Sequence, residues 1–134
     1  MNLNNLLNLL KENSKKGNDS RFFYNLLKYK NLPENVKRRA EEKCLESSTW
    51  TYYLRKNIKD LPEHIKRKAE LRCLESSYWI YNLRRGVKDL PEDIKRRAEE
   101  KCLESCYWAY YLRKNIKDLP EDIKRGAESI LKLQ

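Results

Sequence analysis

Apolar residues recur four positions apart through much of this chain, with charged residues filling the positions between them. One such series is Leu90, Ile94, Ala98 and Cys102, and a second series follows at Trp108, Leu112 and Ile116. A spacing of three to four residues places side chains on one face of an α-helix. The pattern therefore predicts two consecutive amphipathic helices, each with one buried face.

This helix pair is repeated with a period of 29 residues, at 32–60, 61–89 and 90–118. A fourth copy stops after its first half, and residues 20–31 resemble a worn second half. Fixed-period self-similarity is typical of stacked arrays, because one helix pair cannot bury its apolar face alone. The prediction is an all-α fold, an α-solenoid of three helix-turn-helix repeats forming one domain over 1–134, with capping segments at 1–31 and 119–134.

The helix boundaries carry recognisable signals. Asp89 and Glu92 form a capping box around Pro91, which predicts that the Asp carboxylate accepts hydrogen bonds from the first backbone N–H groups of each first helix. Each second helix is predicted to begin after a capping serine, at Ser47, Ser76 and Ser105. Connections of one or two residues would then place the helices in antiparallel pairs.

The two ends of the chain differ from the repeats. At the N-terminal end a leucine stripe, composed of Leu3, Leu6, Leu7 and Leu10, predicts an added helix. At the C-terminal end Leu131 replaces the repeat cysteine. Either cap is expected to shield the end of the stack or to pair with a second copy as a homodimer.

Composition excludes several classes of protein. No apolar run approaches the roughly 20 residues that span a bilayer, and the N-terminus lacks a signal peptide, so we expect a cytoplasmic protein, or one of the host cytoplasm if it is viral. Cys44, Cys73 and Cys102 occupy apolar repeat positions without CxxC spacing, which favours core packing over a metal site. The extra cysteine, Cys106, leaves a disulfide with Cys102 as a second choice.

The unit LPEDIKRRAEEKCLESCYWAYYLRKNIKDLPE resembles the Tyr-rich and Trp-rich helical repeats of bacteriophage and bacterial proteins of unknown function. It is also similar to a shortened tetratricopeptide helix pair. The resemblance covers residues 20–134 and implies a helical-repeat fold that binds other molecules. It implies no catalytic residues and no cofactor.

Catalysis is not expected from the residues either. A catalytic site is normally a unique constellation, whereas nearly every candidate side chain here occurs three times. The one histidine, His64, stands where the other copies have Asn35, Asp93 or Asp122. There is no glycine-rich phosphate loop. We therefore predict no enzyme activity, no cofactor and no metal.

The net charge of +10 makes sequence-nonspecific binding of RNA or DNA an alternative function. Basic runs at 37–39, 66–68 and 95–97 would recur along the stack and follow a phosphate backbone. However, each repeat mixes 7 cations with 4 to 6 anions at helical spacing, which is typical of a solvated face laced by ion pairs. Surplus cations at helix C-termini also complement the helix dipole.

The aromatic residues fall into two groups. Trp50, Trp79 and Trp108 recur unchanged, which predicts an inter-repeat core. The tyrosine positions vary between copies, which is typical of surface tuned to a partner. The leading hypothesis is a non-enzymatic binding or scaffold protein for an acidic protein partner, and an occluding phage or viral inhibitor of a host factor is a third. The predicted contact residues are Tyr53, Arg55, Lys56, Tyr78, Arg84, Arg85, Tyr107, Tyr111, Arg113 and Lys114.

Overall fold

A computed structural model describes residues 19–29 and 31–132, together with residues 5, 8 and 12. Throughout these residues the secondary structure is helical and contains no strand, which confirms the predicted all-α fold. The predicted N-terminal leucine stripe lies outside the described residues.

The helices form two rows that alternate along the chain. The aromatic row consists of α1 (Asp19–Leu26), α3 (Ser48–Asn57), α5 (Ser77–Gly86) and α7 (Cys106–Asn115). The proline row consists of α2 (Glu34–Cys44), α4 (Glu63–Cys73), α6 (Glu92–Cys102) and α8 (Glu121–Lys132), each preceded by a proline. Neighbouring helices of the aromatic row contact one another, so the row runs along the array from α1 to α7.

The closest helix pairs are offset from the sequence repeats. The most extensive contacts join each aromatic-row helix to the proline-row helix that follows it, as α3 with α4 and α5 with α6. The connections are also longer than predicted, because residues 45–47 link α2 to α3 and residues 58–62 link α3 to α4. The packing unit therefore straddles two sequence repeats.

The core consists of the apolar stripes found in the sequence. Leu83, Ile94 and Ala98 are fully buried, and Trp79 and Trp108 pack against the same cluster as partly buried side chains. Each tryptophan reaches back to the tyrosine of the preceding aromatic-row helix, as in Trp108 and Tyr81, whose ring centroids lie 5.3 Å apart. This confirms that the tryptophans hold neighbouring repeats together.

Tyrosine hydroxyls add a polar link between neighbouring aromatic-row helices. Asn115 Nδ2 donates to Tyr81 Oη at 2.7 Å, and Asn57 makes the same bond to Tyr24 at 2.9 Å. The middle copy has Gly86 instead, and a Cβ built there would lie 2.2 Å from Tyr52 Oη. The tyrosine hydroxyl thus occupies the space that an asparagine side chain fills in the other copies.

The predicted capping boxes are wrong. The proline-row helices α2, α4 and α6 begin after a proline without a side-chain hydrogen bond at the cap. The Asp89 carboxylate lies 3.3 Å from Arg55 Nη1 instead, and Glu92 faces Lys95 at 3.8 Å. Charged partners on α3 and α6 compete for these carboxylates, and charge-assisted pairs are stronger than bonds to neutral donors.

The predicted serine caps are confirmed in position, but only one of them forms the expected hydrogen bond. Ser47, Ser76 and Ser105 all hold the N-cap site with extended backbone, but a cap hydrogen bond forms only at Ser47, whose hydroxyl accepts from the Trp50 N–H at 3.4 Å.

Candidate binding surface

A continuous chain of aromatic rings lies along the aromatic row. Neighbouring rings from Tyr24 in α1 to Tyr111 in α7 have centroids no more than 6.0 Å apart. The chain has a buried part, which includes Tyr52 and Tyr81, and an exposed part, which includes Tyr78 and Tyr107. Burial of one set and exposure of the other divides the tyrosines into core and surface, a distinction that the sequence left partly open.

Four predicted contact residues meet in one groove of about 300 Å³ between α5 and α7, which we call the tyrosine groove. They are Tyr78, Arg85, Tyr107 and Tyr111. Tyr78 and Tyr107 are 53% and 59% exposed, and each stands edge-on to the tryptophan that follows it. The tryptophans therefore support the exposed rings from below, which keeps them in place on a rigid helix.

Tyr107 and Tyr111 form a close pair within the groove. Their ring centroids are 4.9 Å apart, and a side-chain hydrogen bond with Tyr111 raises the pKa of Tyr107. Both phenols can offer hydrogen bonds to a ligand. The groove thus combines aromatic area, hydroxyl groups and the Arg85 guanidinium.

The remaining exposed candidates lie outside this groove. Tyr53 is 36% exposed and contacts Trp50. Lys56 and Lys114 are exposed, and each ammonium lies over the tyrosine four residues earlier in its own helix, at 5.7 and 5.6 Å from the ring centroid. Arg113 lies 3.2 Å from Glu128 in a half-exposed ion pair.

Two predicted contact residues, Arg55 and Arg84, are buried. Their side chains are 5% and 6% exposed, and each Nε donates to a buried glutamate at 2.8 Å, Arg55 to Glu70 and Arg84 to Glu99. The prediction for these two residues is corrected to a structural role, because the neighbouring repeat covers the guanidinium and supplies its counter-charge.

An aspartate from the following repeat completes each buried pair. Arg84 Nη2 donates to Asp118 Oδ1 at 3.1 Å. Burial disfavours the charged guanidinium of Arg84, but its hydrogen bonds to Glu99 and Asp118 outweigh that cost and raise its pKa. The same contact from Arg84 lowers the pKa of Asp118. The arginine therefore joins three segments of chain, α5, α6 and the loop after α7.

The basic runs of the proline row are largely neutralised. Arg67 meets Asp93 at 2.7 Å, Lys68 meets Glu42 at 3.4 Å, and Lys37 donates to Asp60 at 3.0 Å. The first two pairs link neighbouring proline-row helices, and the third links α2 to the loop between α3 and α4. The predicted ladder of phosphate contacts along this row is therefore occupied by the protein's own carboxylates.

Three cations that follow the C-terminal ends of aromatic-row helices were not among the predicted contact residues. Lys59, Lys88 and Lys117 recur in the loops that follow α3, α5 and α7, and all three are exposed. In the described part of the chain none of them has an ion pair. The available signal was their recurrence with the 29-residue period.

Three of the four cysteines are buried. Burial raises the pKa of the Cys44, Cys73 and Cys102 thiols to about 12, so these remain protonated and act as small apolar side chains. Cys106 is exposed and forms no disulfide. Over the described ranges no group of three His, Cys, Asp or Glu side chains is placed to hold a metal ion.

The described helices include none that is long and apolar enough to cross a membrane. Comparison with known proteins gives no match to a family model, to a curated protein or to a solved structure.

Proposed function

We propose that this chain is a non-enzymatic binding protein that captures an acidic segment of a partner protein in the tyrosine groove. The observation that carries the proposal is the placement of Arg85 among Tyr78, Tyr107 and Tyr111. Tyrosine and arginine are the residue types most enriched at the energetic centres of protein interfaces. A groove that brings them together on rigid helices favours recognition over catalysis.

Arg85 is the charged member of the groove. It is exposed, and no carboxylate of the described chain lies within 4.0 Å of it. By contrast, its neighbour Arg84 is fully engaged with Glu99 and Asp118. A guanidinium presents a planar fork that fits a carboxylate with two parallel hydrogen bonds. Arg85 is therefore the group that selects an acidic ligand.

The tyrosines supply the apolar part of the contact. An aromatic ring buries a large area while losing little conformational entropy, because it has only two side-chain torsions. The edge-on contacts to Trp79 and Trp108 further restrict Tyr78 and Tyr107 before a ligand arrives. A preordered site avoids part of the entropic cost of binding. The ligand best matched to this groove has an apolar or aromatic side chain beside an acidic one.

Fluorescence anisotropy with a labelled peptide of alternating glutamate and leucine tests the proposal. We expect saturable binding that weakens at least about tenfold when Tyr78 and Tyr107 are both replaced by alanine, the loss typical of hot-spot residues. The matched control is Tyr29→Ala, which removes a tyrosine that is 57% exposed after α1, away from the groove. Equal loss in the control and the groove variant, or no peptide binding at all, would rule out the groove as the site.

Nucleic acid remains the second candidate. It is favoured by the unpaired lysines that follow the C-terminal ends of α3, α5 and α7. A labelled single-stranded oligonucleotide in the same assay separates the two. Binding of the oligonucleotide but not of the peptide, with an affinity that falls steeply as salt rises, would favour the nucleic-acid function.

A further inference from the structure

Two basic pockets lie one repeat apart where the aromatic-row helices end. The first pocket, of about 490 Å³, is lined by Lys56, Lys59, Lys66 and Lys88 among others. The second, of about 340 Å³, is lined by Arg85, Lys88, Lys95 and Lys117. Since Lys88 lines both, the two pockets adjoin. A ligand that fills one can continue into the next without leaving the basic surface.

Each pocket contains a single carboxylate, and an arginine already holds it. Asp89 in the first pocket lies 3.3 Å from Arg55, and Asp118 in the second lies 3.1 Å from Arg84. Both arginines are anchored by buried glutamates behind the pocket. Asp118 also lies 3.8 Å from Lys95, but among the described residues no carboxylate lies within 4.0 Å of Lys59, Lys88 or Lys117.

The outward cations form a cation stripe of three dyads. The dyads are Lys56 with Lys59, Arg85 with Lys88, and Lys114 with Lys117. All six side chains are exposed, and over the described ranges no carboxylate lies within 4.0 Å of any of them. The proline row provides the contrast, because its basic runs are largely paired with Asp and Glu. Six unpaired cations of the repeats thus lie together along the C-terminal ends of α3, α5 and α7.

The stripe is continuous with the tyrosine groove. Arg85 and Asn115 line both that groove and the second basic pocket. A ligand anchored among the tyrosines therefore meets Arg85 and then reaches the lysines of the stripe. One extended ligand can occupy all three surfaces together.

We infer that the partner segment, given the proposed function, is an extended acidic peptide in polyproline II conformation that crosses the ends of α3, α5 and α7. Packed helices lie about 8–10 Å apart, so successive dyads are separated by about that distance. A polyproline II chain turns once in three residues and advances about 9 Å in doing so. Acidic side chains at every third residue therefore fall on one face and meet successive dyads, while an aromatic or apolar residue occupies the groove.

This spacing favours a peptide over a nucleic-acid strand. A strand in a duplex-like stack brings a phosphate about every 3.4 Å along its axis, so most phosphates would fall between dyads. A peptide can place its charges only where a dyad receives them. A spaced acidic peptide can thus place every charge at a dyad, whereas a nucleic-acid strand can place only some of its phosphates there.

Two labelled peptides of equal composition test the spacing by fluorescence anisotropy. Both are proline-rich, about ten residues long to cover three dyads, and carry one tyrosine; one has glutamates at every third residue and the other has them scrambled. We expect the spaced peptide to bind at least about tenfold tighter than the scrambled one. A single-stranded oligonucleotide is measured alongside.

The matched protein variants separate the stripe from overall charge. Lys59→Gln with Lys88→Gln removes two stripe cations, and Arg97→Gln with Lys101→Gln removes two exposed cations of α6 that also have no ion pair in the described chain. We expect the stripe variant to lose at least about tenfold in affinity for the spaced peptide and the control to lose less than about twofold, because screened charges act over about 10 Å.

Each outcome decides a different question. Equal binding of spaced and scrambled peptides that still depends on Tyr78 and Tyr107 would overturn the spacing and leave the proposed function standing. Absence of binding by both peptides would overturn the proposed function as well. Equal losses in the two charge variants, or tighter binding of the oligonucleotide than of the spaced peptide, would also refute the peptide register.

Discussion

The buried pair of Arg84 and Glu99 allows a sharp test of the structure, because the same pair recurs in an exposed setting. Arg84 and Glu99 are 6% and 3% exposed, whereas the equivalent Arg113 and Glu128 are 42% and 47% exposed. Replacing Arg84 by methionine leaves the Glu99 carboxylate buried without its partner. Removal of one member of a buried pair costs about 3–5 kcal/mol in the free energy of unfolding.

The exposed copy provides the matched control. Arg113→Met breaks a pair that water already screens, so the expected loss is about 0–1 kcal/mol. The double variant Arg84→Met with Glu99→Leu removes both charges, and we expect it to recover most of the loss, since apolar replacements of a buried pair are often neutral or stabilising. The comparison thus separates the effect of burial on the unfolding free energy from the effect of the residue types.

Guanidinium chloride titrations followed by far-ultraviolet circular dichroism measure these differences. The comparison requires similar dependence of the unfolding free energy on denaturant in all variants, because repeat arrays can lose cooperativity. A similar cost for Arg84→Met and Arg113→Met would refute the reasoning, as would failure of the double variant to recover stability. Either result would mean that Glu99 reaches water or another cation.

Three further predictions concern the array. Trp79→Ala should destabilise by about 3 kcal/mol in thermal or denaturant unfolding, because the ring packs between repeats; a negligible change would mean that it does not. Gly86→Asn should stabilise by about 1 kcal/mol through the missing hydrogen bond to Tyr52, which must shift to admit it; the gain should vanish with Tyr52→Phe, and a net loss would show that Tyr52 cannot move. The lowered pKa of Asp118 means that its stabilisation is present above its unfolded-state pKa and is lost as pH falls, so Asp118→Asn should cost up to about 1 kcal/mol at neutral pH and nothing near pH 2, while a pH-independent cost would contradict the pairing with Arg84.

Much of the fold follows from local pattern. The apolar period identified Leu83, Ile94 and Ala98 as core, and all three are buried. Identical copies must pack alike, so the unchanged tryptophans pointed to inter-repeat contacts, as the structure confirms. These features depend on spacing within one or two helices, which a sequence records directly.

The fate of the charged residues could not be predicted in the same way. Glu70 and Glu99 fall on helix faces that read as solvated, yet they are 2% and 3% exposed. Their burial depends on which helix covers them, and that follows from pairing each aromatic-row helix with the next proline-row helix. Arginine stands at 55, 84 and 113 in every copy, whereas the next position varies between lysine and arginine. That difference was a usable sign of two separate roles.

The ends of the array show how strongly burial depends on neighbours. Glu41 occupies the position of Glu70 and Glu99 and is 2% exposed, but Leu27, directly after α1, stands where the later copies have arginine. Arg38 from the same helix pairs with it instead. Burial raises the pKa of Glu41, against the effect of Arg38. The first repeat therefore has the buried glutamate without an arginine from the preceding aromatic-row helix.

Two adjacent cations lie in the last turn of α3, α5 and α7, and they explain how one short motif serves both stability and binding. Consecutive residues of an α-helix point about 100° apart. In the pair Arg84 and Arg85 the first side chain turns inward to Glu99, and the second turns outward to the tyrosine groove. Because Asp118 pairs with Arg84, it does not pair with Arg85, which therefore stays available to a ligand. The array thus neutralises the cations that hold it together and leaves unpaired those proposed to bind.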